Sequence, residues 1–174
     1  MKKGFTLLEV LLVIVMFVVL TAVTVYVFRA ILLSWSAQEI RAGIGINLYR
    51  GVEKMAREIL EVKNVDSLNT DEIRFTDVGD NYCIYYLYNG NDAYPPNFGQ
   101  ATYELRKAAL SGVVGGDLTT GTFTYGDGTI IIKDIVPPTT SDLSIINNIV
   151  TIDLSATRGN ETIRSRTEVR PRNL

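Results

Sequence analysis

Glu9 is the residue whose placement demands an explanation. It stands in a run that is otherwise apolar from Phe5 to Phe28, close behind Met1, Lys2, Lys3 and Gly4. A charged side chain in a membrane-spanning helix costs roughly 2.5–3.5 kcal/mol on insertion scales, so a carboxylate here is functional by default. A bland role competes with that reading. Glu9 would then snorkel to the headgroups and favour the positive end of the helix dipole.

The rest of the composition removes chemistry. The chain has no histidine, which excludes His general bases, Ser-His-Asp and Cys-His nucleophile systems and His-ligated metal centres. No acidic pair is set up for carboxylate chemistry. No catalytic residue, metal ligand or cofactor is therefore assigned. Three acidic-glycine stretches, Asp77-Gly79-Asp80, Gly116-Asp117 and Gly126-Asp127-Gly128, lack the ligand density of a calcium loop and are read as solvated turns. The single cysteine, Cys83, cannot form an intrachain disulfide. Within Tyr82-Cys83-Ile84-Tyr85 it reads as a small buried strand residue. A net charge of −2 from 17 basic and 19 acidic residues gives no reason to expect direct nucleic-acid binding.

Phe5–Phe28 as a helix spans about 36 Å, enough for a hydrocarbon core of roughly 30 Å. Lys2 and Lys3 before it, by the positive-inside rule, put the N-terminus in the cytoplasm and the chain beyond Arg29 outside. An ordinary secretory signal has an apolar region of about 7–15 residues followed by a small-residue cleavage site. This run is longer and has no good site. A plain membrane anchor would need the hydrophobicity, but it would have no need of Glu9.

The arrangement Gly4-Phe5-Thr6-Leu7-Leu8-Glu9 resembles the N-terminus of the type IV pilin and pseudopilin family. The resemblance covers about the first 30 residues. It implies a leader, residues 1–4, cut after Gly4 by a prepilin peptidase, N-methylation of the new N-terminal Phe5, and a role for Glu9 in filament assembly. After such a cut Phe5 bears a positive α-amine, and Glu9 lies one helical turn on. The carboxylate can then neutralise its own terminus or that of a neighbouring subunit, and pairing relieves the cost of a charge among apolar helices.

Beyond the span, residues 29–62 read as an amphipathic continuation of the same helix. Ile40, Ile44, Leu48, Val52, Met55, Ile59 and Val62 form one apolar stripe. The stripe packs either on the chain's own sheet or on a partner helix. Gly43, Gly45 and Gly51 lie along it and serve either bending or close packing. Residues 63–174 read as a β-rich head, with strands expected at Glu72–Val78, Tyr82–Tyr88, Ala101–Leu110, Thr122–Tyr125, Thr129–Val136, Ile149–Ala156 and Thr162–Val169. The last two form a hairpin about Arg158-Gly159-Asn160. In the final strand Ile163, Ser165, Thr167 and Val169 face one way and Arg164, Arg166, Glu168 and Arg170 the other. Arg164 and Arg166 belong either to a solvated face or to a docking surface for an acidic partner.

The ending Ile163–Leu174 is similar to that of J-type minor pseudopilins of type II secretion and of W-type minor pilins. The expected fold is α+β, a long N-terminal helix packed on an antiparallel sheet. The two resemblances imply a non-enzymatic minor subunit that helps initiate or cap a type IV pilus or type II secretion filament. It would be anchored in the inner membrane with an extracytoplasmic head. Its implied partners are the prepilin peptidase/methyltransferase, other minor and major pilins or pseudopilins, and the inner-membrane assembly platform. The alternatives are a major filament subunit and a membrane-anchored extracytoplasmic binding domain.

Overall fold

A computed structural model describes residues 6–69, 71–137 and 142–172. The elements run α1 (Leu7–Leu60), β1 (Asn64–Asp66), β2 (Glu72–Thr76), β3 (Tyr82–Tyr88), β4 (Tyr103–Ala109), a 3-10 turn (Leu118–Thr120), β5 (Thr129–Ile135), β6 (Asp142–Ile146), β7 (Ile149–Arg158) and β8 (Glu161–Val169). The chain divides into two compact units, Met1–Ile40 and Arg41–Leu174.

From Leu7 on, the first unit is helix. Its apolar side chains are exposed on every side, from Leu7 through Phe17 and Tyr26 to Leu33. A helix that is apolar all round needs an apolar surrounding, and α1 is long and apolar enough to cross a membrane. Its hydroxyls suit that environment. Thr21 Oγ1 donates to the Phe17 carbonyl and Thr24 Oγ1 to the Leu20 carbonyl, each at 2.8 Å, so neither needs water.

In the second unit the last turns of α1 bury Ile44, Leu48, Val52, Met55 and Ile59 against an antiparallel sheet. The stripe therefore faces the chain's own sheet. Each fully buried aliphatic side chain contributes about 1.5–3 kcal/mol. Two details differ from the sequence reading. The helix stops at Leu60 rather than Val62, where Glu61 and Val62 turn back to the carbonyls of Glu58 and Ile59 and the Arg172 N–H caps the Leu60 carbonyl at 3.0 Å. Val62 is buried all the same, whereas Ile40 is exposed. Of the glycines, Gly51 takes the close-packing role. A Cβ on Gly51 would stand 2.5 Å from Ile132 Cδ1 and closer still to its Cγ1, so Gly51 lets the helix sit down on β5. A Cβ on Gly43 would meet nothing.

The sheet runs β1-β2-β3-β4-β5-β7-β6. β8 pairs with residues of β7 that also pair with β6, so β6 and β8 flank β7 on its two edges. The sheet curls until β6 meets β2, where the Leu143 N–H donates to Asp71 Oδ1 at 3.3 Å. The β7–β8 hairpin turns at Gly159-Asn160, with Gly159 at φ 63°. The expected strand at Thr122–Tyr125 is absent. Thr122 makes only a bridge to Ser111, because Phe123 and Tyr125 turn in to pack on the Tyr86 ring, with centroids 4.7 and 5.7 Å away. Two strands lie outside the expected set, β1 and β6.

That inward turn belongs to a second layer. The β3–β4 and β4–β5 connections cover the outer face of β2–β4, so every residue of β2 is buried. Arg74 and Glu72, both 2 % exposed, pair at 2.8 Å there. Arg74 Nη1 donates to the carbonyls of Leu118 at 3.1 Å and Gly121 at 2.7 Å. Glu72 Oε1 accepts the N–H groups of Leu68 and Asn69, and the Tyr94 hydroxyl donates to Glu72. Burial opposes the Arg74 charge, but its bonds to Glu72 and Tyr94 outweigh it and hold the pKa above the ordinary value.

The contrast between two helical glycines gives a test of how α1 packs. Gly43→Ala gains helix propensity, up to about 1 kcal/mol. Gly51→Ala gains the same but must displace Ile132, an overpacking cost of about 1–3 kcal/mol. Denaturant melts should show Gly43→Ala stabilised or neutral and Gly51→Ala destabilised. Equal effects would mean α1 does not press on β5.

Candidate functional site

Helix N-termini leave backbone N–H groups without partners, and the first turn of α1 answers with its own side chains. Thr6 precedes the helix. Its backbone N–H donates to Glu9 Oε2 at 3.0 Å and its hydroxyl donates to the same oxygen at 3.2 Å. In return the Glu9 N–H donates to Thr6 Oγ1 at 3.3 Å. This is a reciprocal capping box, Thr-x-x-Glu. It turns the Glu9 carboxylate back toward the start of the helix and uses one oxygen. Oε1 carries no bond among the described residues. The sequence expectation placed Glu9 at the helix N-terminus and missed Thr6 as its holder, although the i, i+3 spacing was the signal. Gly4 and Phe5 lie outside the described residues.

The second group is at the far end of the chain. Arg164 clasps Asp153 through Nε at 2.7 Å and Nη2 at 2.5 Å. Arg166 stands 3.9 Å from the same carboxylate and bonds Glu168 at 2.8 Å. Strand alternation explains the grouping, because Asp153 lies opposite Arg166 in the β7–β8 register and shares its face. Asp153 is buried while both guanidinium groups stay more than half exposed. The hydrogen bond from Arg164 is the main cause that holds the Asp153 carboxyl below the ordinary range, against the opposing effect of burial. Arg164 and Arg166 are thus partnered on a solvent-facing strand. Asp153 was not anticipated; a lone acid inside Ile152-Asp153-Leu154 was the signal.

The acidic loops close turns. Asp77 Oδ1 accepts from the Gly79 and Asn81 N–H groups, both at 2.8 Å, and the Asn81 side chain first, with these backbone bonds, lowers its pKa. Asp117 caps the 3-10 turn through Thr119. Among the described residues no group of three His, Cys, Asp or Glu side chains is placed to hold a metal ion. Cys83 is buried and free, and burial pushes its thiol pKa up, away from reactivity. A latch joins helix and sheet, with Glu58 Oε2 accepting from Tyr85 Oη at 2.6 Å and Lys107 Nζ at 2.7 Å. Burial above all, then the bond to Glu58, raises the Tyr85 pKa.

Comparison with protein-family models, with curated proteins and with solved structures gives no match. The geometry of the two groups therefore stands on its own.

The Asp153–Arg164 pair has a definite pH signature. Its folded pKa lies below the unfolded value, so its stabilisation is complete above the ordinary carboxylate pKa and is lost as pH falls through the folded one. Asp153→Asn should lower the melting temperature at neutral pH, and the difference from the unaltered protein should shrink below about pH 4. A difference that stays constant into acid would show that the charge pair contributes nothing.

Proposed function

We propose that the protein is a minor pilin or pseudopilin subunit that helps initiate or cap a type IV pilus or type II secretion filament. The observation that carries the reading is the Glu9 carboxylate. It sits in the first turn of a helix apolar enough to cross a membrane, and that helix runs without a break to Leu60. In an anchor alone the charge would only cap the first turn. A subunit joining a bundle of such helices has a further use for it, because a carboxylate held at the helix start, with one oxygen unbonded among the described residues, is an acceptor for a neighbour's N-terminal amine. The α+β head, with α1 laid on an antiparallel sheet, is compatible with the pilin-like resemblance of the N-terminus.

On this reading a prepilin peptidase cuts between Gly4 and Phe5 and methylates the new amine. Lys2 and Lys3 hold the N-terminus in the cytoplasm. The head stands outside the inner membrane among other minor and major subunits, with the assembly platform below. The protein is a substrate of processing enzymes and not itself a catalyst. Arg164 and Arg166 present the head's cationic strand to those neighbours.

Glu9→Gln separates the two roles of the carboxylate. Glutamine at this position also completes a capping box but carries no charge. The variant should insert in the membrane at least as well as the unaltered chain and should largely fail to enter filaments. Mass spectrometry of unaltered protein purified from membranes should give N-methyl-Phe5 as the first residue. Normal filament entry by Glu9→Gln would contradict the pairing role, and an uncut Met1 would contradict the processing.

A further inference from the structure

We propose that the outer edge of β8 is a docking edge that takes an extended, acidic segment of another protein as an added strand. β8 pairs with β7 along Glu161–Val169, and among the described residues no strand pairs with its other side. At nine residues it is long for an edge strand, and the backbone N–H and C=O groups on its outer side have no strand partner among the described residues, a template for strand addition. The other ends of the sheet are managed. β1 is only three residues long, and β6 curls against β2 with the Leu143 N–H on Asp71. The inner-face residues Ile163, Ser165 and Thr167 are only half buried, as they must be where the next strand is missing.

Charge chooses the occupant. The outer face of this strand carries Arg164 and Arg166, and Arg170 follows just beyond its end. Asp153, which is buried, and Glu168 oppose them, and Arg170 is exposed with no ion-pair partner among the described residues. A second copy of β8 fits less well. Antiparallel self-pairing centred on Arg164 or Ser165 sets Arg164 against Arg164 or against Arg166, and the register centred on Arg166 sets Arg166 against Arg166 beside two Arg164–Glu168 pairs; like charges directly opposite are destabilising. A foreign strand with Asp or Glu opposite Arg164 and Arg166 carries no such contact. Backbone pairing would supply affinity and the arginines register and selectivity.

The inference is independent of the filament reading, since binding to the edge can fail while processing and assembly stand. The test uses full-length protein in detergent micelles and capped synthetic nonapeptides. The first alternates Glu with Thr and Val, the second has Lys for Glu, and the third is the Glu peptide with every amide N-methylated. Labelled-peptide anisotropy should show the Glu peptide binding about tenfold or more tighter than the Lys peptide. Hydrogen exchange should slow within residues 161–169 and not elsewhere. Arg164→Glu with Arg166→Glu should reverse the preference. Arg170→Glu, which breaks no side-chain hydrogen bond or ion pair among the described residues, should weaken binding of the Glu peptide if the double variant does not fold. Equal binding of the N-methylated peptide, protection away from β8, no effect of Arg170→Glu, or no binding of the Glu peptide up to millimolar concentration would each overturn the proposal.

Discussion

One hydrogen-bond ladder, α1, has to satisfy two solvents. From Leu7 it is apolar around its whole circumference, and its threonines return their hydroxyls to its own backbone. From Arg41 on it narrows to a stripe that meets the sheet, with Gly51 bringing its axis down onto Ile132. No proline interrupts it. The only acid in the apolar part lies in the first turn, where the helix supplies unpaired N–H groups and a positive dipole end. A carboxylate at that point is stabilised by the helix itself. On the proposed filament reading, a neighbouring helix would present an amine at the same position, so that role and the capping of α1 would draw on one geometry.

The head resolves a different problem. A single helix can cover one face of a sheet, and β2 and β3 are buried on both. The connections after β3 and β4 supply the second cover, anchored by aromatic rings on Tyr86 and by the buried Glu72–Arg74 pair. That pair is costly to desolvate. It is tolerated because Arg74 and Glu72 together satisfy backbone groups of two separate loops and a tyrosine hydroxyl. A loop layer held by polar bonds leaves the outer edge of the sheet, at β8, to the side chains of the strand itself.

Periodicity made much of this legible. The stripe from Ile44 to Ile59 follows from spacing alone, and β2, β3, β4, β5, β7 and β8 each overlap a run rich in β-branched and aromatic residues. What escaped has physical reasons. Phe123 and Tyr125 alternate like strand residues, yet their rings are spent on the sheet's outer face. Glu72 and Arg74 alternate with Ile73 and Phe75 as on a half-solvated strand, and burial of the polar half depends on loops distant in sequence. β6 lies beside the turn Asn147-Asn148, both at positive φ, a pattern that favours a two-residue hairpin and that could have revealed it. At the functional end, Glu9 was visible from its charge, while its holder Thr6 required the capping spacing to be noticed. Arg164 and Arg166 were visible from alternation, while Asp153, a strand away, required the register.

On the filament reading, α1 and its carboxylate serve lateral assembly and not anchorage alone. Quantitative mass spectrometry of filaments sheared from cells that make the protein at its natural level is the decisive measurement. The chain should travel with the filaments at a small fraction of the amount of the main subunit. Its absence from the filament fraction, with all of it left in the membrane, would rule out lateral assembly and leave an anchored extracytoplasmic domain in its place.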